Sequence, residues 1–219
     1  GASIAYALTL GGVCSEIVLV DINKLKAEGE ALDLSQCAAC TPSVKVWSGE
    51  YEDVKGSDIV IVTFGIARKP DQTRLDLAKV NVGILKSVIK ENKIDQIAPD
   101  ALYIVVSNPV DVLTYVVMHD TGLSKNQVIG TGTLLDSNRL QQAVAEYCNV
   151  DASNVTAYVL GEHGDACMAP WSLCTVCGMP IREYCTKIMG VDKANLEEEL
   201  DNIYKGMVAA GSKVIKAKG

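Results

Sequence analysis

The sequence has almost no histidine: two of its 219 residues, His119 and His163, carry an imidazole. Any proton transfer near neutral pH through that ring, whose ordinary pKa of about 6.5 suits it to the task, falls to one of the two. It has no excess of positive charge either. The formal net charge of -7 argues against a nucleic-acid partner or an anionic membrane surface, since both require a concentrated basic face. No apolar run approaches the roughly 20 residues needed to cross a bilayer. No secretory leader is visible, and because the chain opens on Gly1 rather than methionine, that says little about the full-length protein. Cysteine, by contrast, is plentiful, with eight residues that include the C-x-x-C pairs Cys37–Cys40 and Cys174–Cys177. A zinc site needs four converging ligands, yet one pair ends a helical pattern and the other sits far away in an apolar, strand-like run. The cysteines read as small hydrophobes kept reduced in the cytoplasm, with no metal site expected.

Hydrophobic residues make up 48% and charged residues 21%, the balance of a globular chain long enough to bury a sizeable core. Gly1 to Leu10 has apolar residues at helical spacing and ends on Gly11-Gly12. Glu16 to Asp21 (EIVLVD) is a short strand pattern, and Asn23 is placed to cap a following helix carrying Leu25, Ala27, Ala31, Leu32 and Leu34. Val44 to Trp47, Asp58 to Phe64, Ala101 to Val106 and Val128-Ile129 read as further strands, with helices over Val80 to Lys90 and Val110 to Met118. Short apolar strands alternating with amphipathic helices predict an α/β fold, a doubly wound parallel sheet covered on both faces.

Ligands bind such sheets beyond the carboxyl ends of the strands. The residues found there are Asp21, Gly65, Ser107-Asn108-Pro109 and Gly130-Thr131-Gly132-Thr133, all small or polar. Each turn taken singly is also what any turn looks like. Gly1 and Asp21 are more informative together, because dinucleotide sites place a glycine turn before a helix and an acid about 20 residues on. Such an acid takes the ribose hydroxyls and opposes a 2′-phosphate, favouring NAD over NADP. With Gly1 as the last glycine of that turn, the first strand and the leading glycines are missing.

The stretch Tyr158 to Asp165 (YVLGEHGD) sets His163 between glycines after an apolar run, where backbone or a ligand can approach closely. A surface-turn histidine would look the same in isolation. His119, near the end of the helix over Val110 to Met118, gains from the partial negative charge there and is given no catalytic role.

Five segments then occur in one order: Val18 to Asn23 (VLVDIN), Arg68 to Leu77 (RKPDQTRLDL), Val105 to Val116 (VVSNPVDVLTYV), Ile129 to Arg139 (IGTGTLLDSNR) and YVLGEHGD. Together they resemble the L-lactate/malate dehydrogenase family, in its lactate-dehydrogenase-like branch, over essentially the whole chain. The resemblance implies an internal fragment lacking both ends. Residues 1–132 would be the NAD-binding Rossmann domain, its first strand missing, and residues 133–219 the start of an α+β substrate-binding domain.

It further implies an NAD-dependent enzyme that moves hydride between NADH and a 2-oxo acid, acting as a homodimer or homotetramer. His163 would be the general acid/base, and Asp136 the carboxylate that fixes its tautomer and supports its cationic form; otherwise Asp136 reads equally well as a helix cap. Arg139 would clamp the substrate carboxylate. Arg74 would polarise the carbonyl, with Asn108 donating nearby. Gly1, Asp21, Gly65, Val106, Ser107, Asn108 and Thr131 would line the cofactor, and residues 65–77 would form a lid that excludes water.

At the lid position that selects the substrate side chain, lactate-type members have glutamine and malate-type members arginine, and this chain has Arg68. A cation there favours oxaloacetate on charge grounds, whereas the wording of the other motifs favours pyruvate and L-lactate, which is the preferred reading. A non-catalytic, structural use of the fold would have no physical reason to keep His163, Asp136, Arg139 and Arg74 together.

Overall fold

The structure, a computed structural model, describes residues 1–66 and 74–218, the side chain of Arg74 excepted. It divides into two compact units, Gly1–Gly130 and Thr131–Gly219.

The first unit alternates helix and strand: α1 (Ala2–Gly11), β1 (Glu16–Leu19), α2 (Lys24–Gln36), β2 (Lys45–Ser48), β3 (Ile59–Val62), α3 (Arg74–Asn92), α4 (Ile94–Ile97), β4 (Leu102–Val105), α5 (Val110–Asp120) and β5 (Val128–Gly130). Every strand pairing is parallel, as the continuous apolar runs predict. The strands form a two-stranded sheet β1-β2 and a three-stranded sheet β3-β4-β5. In the doubly wound order 3-2-1-4-5-6, the strands matching β1 and β3 flank the first strand. Among the described residues β1 and β3, like the outer strands β2 and β5, each have one partner.

Each sheet has its own apolar cluster. Ala5, Ala31, Leu34, Val44 and Val46 gather at β1-β2, while Val62, Leu85, Tyr103, Val105, Leu113 and Val117 belong to the larger cluster at β3-β4-β5. Full burial of a Leu or Val side chain is worth roughly 1.5–3 kcal/mol, which is what holds short strands in place. Local signals set the helix ends. Gly12 takes the left-handed conformation, φ 57°, and its N–H closes α1 on Leu8 and Thr9; a Cβ there would lie 2.5 Å from Pro42. The Asn23 side chain caps α2 by accepting the Lys26 N–H. Of the apolar residues that α2 carries, Ala27, Ala31 and Leu34 are buried, and Leu25 and Leu32 are exposed. They fall on the opposite side of a helix whose buried stripe is narrow. His119 lies in the last turn of α5, stacked on Tyr115 and bonded to Asp120.

The second unit comprises α6 (Leu134–Cys148), a small antiparallel sheet β6 (Val155–Thr156), β7 (Thr175–Val176) and β8 (Met179–Pro180), then α7 (Ile181–Lys187) and α8 (Lys193–Lys218). Its core joins Leu140, Val144, Val159, Val176, Ile181, Leu200 and Met207. On α8, Glu197, Glu198 and Asp201 are exposed, while Leu196, Leu200 and Met207 face inward.

All eight cysteines are free thiols. Cys148, Cys174 and Cys185 belong to this core, and burial pushes the first two thiols up to about 12 and about 11. Among the described residues no cluster of His, Cys, Asp and Glu fits a metal ion, and no helix is long and apolar enough to cross a membrane.

Candidate active site

The first turn of α6 and the loop after Leu160 bring three ionisable side chains together within the second unit. Asp136 sits in that first turn and is buried. Its Oδ2 meets His163 Nδ1 at 2.6 Å, and its Oδ1 accepts a bond from Arg139 Nη1 at 3.2 Å. Arg139 lies one helical turn further on, the i,i+3 spacing that puts both side chains on one face. Asp136 is therefore not the cap of α6; that position belongs to Thr133.

The loop bearing His163 is pinched at its base by paired backbone bonds between Leu160 and Met168. Gly161 is required there. Its φ is 99°, and a Cβ would meet the Ala166 carbonyl at 3.1 Å. From α8 the Tyr204 hydroxyl donates to the Cys167 carbonyl at 2.5 Å, tying the far arm of the loop to the core. Along the apolar run before Gly161 regular pairing stops at Thr156 and resumes only as the Leu160–Met168 bridge.

With Nδ1 engaged by a carboxylate, the proton to be exchanged is assigned to Nε2. Arg139 presents a planar fork with more donors than its one bond to Asp136 uses. The constellation suits donation of a proton to an anionic substrate oxygen.

The first unit gathers the residues expected at the cofactor. Gly65 follows β3 with φ 137°, and a Cβ there would lie 3.1 Å from Asn81 Oδ1. The Ser107 hydroxyl donates to the Phe64 carbonyl at 2.5 Å, and the Val106 N–H to the Val62 carbonyl at 3.0 Å. Asn108 is exposed, beside a cis bond to Pro109.

Asn81 of α3 ties these loops together and has no counterpart in the sequence reading. Its Oδ1 accepts the Ile66 N–H at 2.9 Å, and its Nδ2 donates to the Asn108 carbonyl at 2.7 Å. A signal for it exists: Leu77, Asn81, Leu85 and Ile89 are all buried at four-residue spacing, so Asn81 is the one amide on an apolar stripe. Gly1 precedes α1, and a Cβ on it would lie 3.0 Å from Thr63 Oγ1. Asp21 stands exposed after β1, one oxygen taking the Asn23 N–H at 2.9 Å. The nearby Tyr51 hydroxyl is held above its ordinary range, first by burial and then by the charge of Asp21.

These features fit a dinucleotide. A helix N-terminus without a Cβ, an acid after the next strand and a glycine held open by a buried amide are what its phosphates, ribose and rings require. Thr131 opens the second unit and its carbonyl takes the Leu134 N–H. Arg74 begins α3; Arg68 and most of the expected lid lie outside the described residues.

Residues 1–130 match the model of the lactate/malate dehydrogenase NAD binding domain, and residues 133–219 that of the lactate/malate dehydrogenase alpha/beta C-terminal domain. All 219 residues align at 43% identity with an L-lactate dehydrogenase of Thermoanaerobacter pseudethanolicus, spanning 69% of that protein. The L-lactate dehydrogenase 1 of Clostridium acetobutylicum aligns at 45%, with 68% of it covered. Among solved structures, the minor L-lactate dehydrogenase of Enterococcus mundtii in a ligand-bound form superposes with a TM-score of 0.90 at 42% identity, over 100% of this chain and 68% of that one. The malate dehydrogenase of Aeropyrum pernix gives 0.89 at 33% identity, over 100% and 67%.

Proposed function

The chain belongs to the lactate/malate dehydrogenase family, and from that premise we propose that it interconverts pyruvate and L-lactate with NAD as its cofactor. When bound, NADH would supply a hydride for the carbonyl carbon of the 2-oxo acid. His163 gives its Nε2 proton to the carbonyl oxygen, so that C=O becomes CH–OH, and it recovers that proton in the reverse direction. Positioned acid/base transfer of this kind is typically worth about 10²–10⁴-fold.

The observation that carries the reading is the contact of 2.6 Å between His163 Nδ1 and Asp136 Oδ2, with Arg139 on the other oxygen. Asp136 fixes the ring's tautomer and offsets the charge it holds before the proton leaves. Arg139 takes the substrate carboxylate with its planar fork, and Arg74 and Asn108 stabilise the carbonyl oxygen as negative charge grows there. Asp21 would accept from the adenosine ribose, Gly1 would admit the pyrophosphate to the start of α1, and Gly65, Val106, Ser107 and Thr131 would border the cofactor.

Pyruvate is preferred over oxaloacetate because the relatives aligned at 43% and 45% are L-lactate dehydrogenases and the motif wording agrees. Arg68 favours the malate reading, in which it would meet a second carboxylate. Purified protein is to be given NADH with pyruvate and with oxaloacetate in parallel. A higher kcat/KM for pyruvate is expected. Preference for oxaloacetate would replace the substrate, and no turnover of either would overturn the activity.

A further inference from the structure

We propose that Thr133 and Ser137 are positioning residues, forming a clamp on Val159 that sets the register between Asp136 and His163. The proposal rests on His163 being the acid/base. Val159 is buried and, among the described residues, pairs with no strand, so both of its backbone groups need hydrogen bonds from elsewhere. The face of α6 that precedes Gln141 provides them.

The Val159 N–H donates to Ser137 Oγ at 2.9 Å, and Ser137 Oγ–H donates onward to the Thr133 carbonyl at 2.9 Å. Thr133 Oγ1–H donates to the Val159 carbonyl at 2.6 Å, closing the ring. Gln141, at the next four-residue step, adds a bond from Nε2 to the Ala157 carbonyl at 3.3 Å. Thr133, Ser137 and Gln141 thus stand where a neighbouring strand would, on one face of a helix.

Two features set this apart from ordinary packing. Thr133 occupies the cap position of α6, yet its hydroxyl caps nothing. A threonine there normally accepts an N–H of the first turn, a bond worth about 1 kcal/mol to the helix, and here the hydroxyl is turned to Val159 instead. The clamp also lies next to the chemistry in the chain: Ser137 follows Asp136 directly, and Val159 stands four residues before His163. A shift of Val159 along α6 therefore carries His163 away from its carboxylate. A misplacement of about 1 Å at a reacting group costs on the order of 100-fold in rate.

The test compares Ser137→Ala, the isosteric Thr133→Val and the double variant with the unmodified protein. Melting temperature, kcat and KM for pyruvate, and the low-field proton NMR signal of the His163 Nδ1–H bond are measured. The signal is assignable because His119 is the other histidine and, with its side chain 68% exposed, exchanges with water. Each single variant is expected to lose or broaden the signal and to drop kcat by about tenfold or more, with KM within about threefold. The double variant should fall little below the worse single one, since residues acting as one unit are not additive. If Ser137→Ala does not fold, Thr133→Val, which keeps the volume, decides alone. Lower melting temperatures with the signal intact and kcat within about twofold of normal would overturn the clamp as a positioning device. If the unmodified protein turns over no 2-oxo acid but the variants still lose the signal, the clamp stands and the activity falls.

Discussion

Replacing Asp136 by Asn keeps the shape of the side chain and removes its charge. The carboxylate is nearly enclosed, 9% exposed, and serves two partners at once, His163 at 2.6 Å and Arg139 at 3.2 Å. As a helix-end charge alone it would be worth about 0.3–1 kcal/mol of stability and nothing in rate. As the partner of a cationic ring its value is larger. A hydrogen bond to a charged group contributes roughly 1.5–3 kcal/mol, and two unit charges about 4 Å apart at an effective dielectric of 20 interact by about 4 kcal/mol. The ring is 26% exposed, so solvent trims the second figure without abolishing it. An asparagine can accept from one partner but then turns an N–H₂ toward the other, so neither contact survives intact. A loss of about 2–4 kcal/mol in the transition state is expected, a fall of about 30- to 900-fold in kcat with pyruvate. KM should rise as well, because Arg139 loses its anchor. The assay is steady-state NADH consumption on protein whose melting curve remains cooperative. A variant that keeps more than half its kcat would show that Asp136 serves the helix, and the reaction scheme above would fail with it.

Four further outcomes are expected. Arg68→Gln should move the ratio of kcat/KM toward pyruvate over oxaloacetate by about tenfold or more if Arg68 meets the second carboxylate, since a lost charge pairing is worth a few kcal/mol; an unchanged ratio would put Arg68 away from the substrate. Asp21→Ser should weaken NADH binding and allow NADPH to bind, measured by titration of both cofactors, because it removes the charge that opposes a 2′-phosphate. Asn81→Leu leaves the Ile66 N–H and the Asn108 carbonyl without their buried amide, and should cost about 1–3 kcal/mol per group in a denaturant melt and raise the KM for NADH. In native protein at pH 8, iodoacetamide should label Cys40 and Cys177, which are exposed, well before Cys148 and Cys174, whose thiols burial holds at about 12 and about 11. At that pH a thiol near 12 is thiolate only about once in ten thousand molecules, so early labelling of Cys148, mapped by mass, would contradict its burial.

Much of the fold is written in local chemistry. Asn23, Gly12 and the alternation of apolar runs mark α1, β1 and α2 because caps and turns depend on near neighbours alone. Length is less visible. The helix read over Val80 to Lys90 begins already at Arg74, and the strand read over Asp58 to Phe64 regularises only over Ile59–Val62, since pairing decides where a strand ends. Which of its apolar residues α2 buries is hidden for a related reason: nothing in the sequence says which side of the helix meets a partner.

The ionisable members of the site are legible through the motifs that hold them. Asn81 and the ring of Thr133, Ser137 and Val159 are not, because what identifies them is a backbone group brought in from elsewhere in the fold. In both cases a trace remains, a polar residue at four-residue spacing on an inward face, which only the structure shows to be bonded rather than exposed.

The edge of β3 is where the sheet β3-β4-β5 can take a further strand. Its four residues, Ile59 to Val62, are all β-branched and uncharged, and Ile59 is 51% exposed. Hydrogen-bonding groups along such a margin recruit any extended segment that reaches them, a second molecule included. Asp58, immediately ahead of the strand, is the nearest charge that discourages a like neighbour from stacking in register. The same row of atoms completes a larger sheet when a strand lies against it.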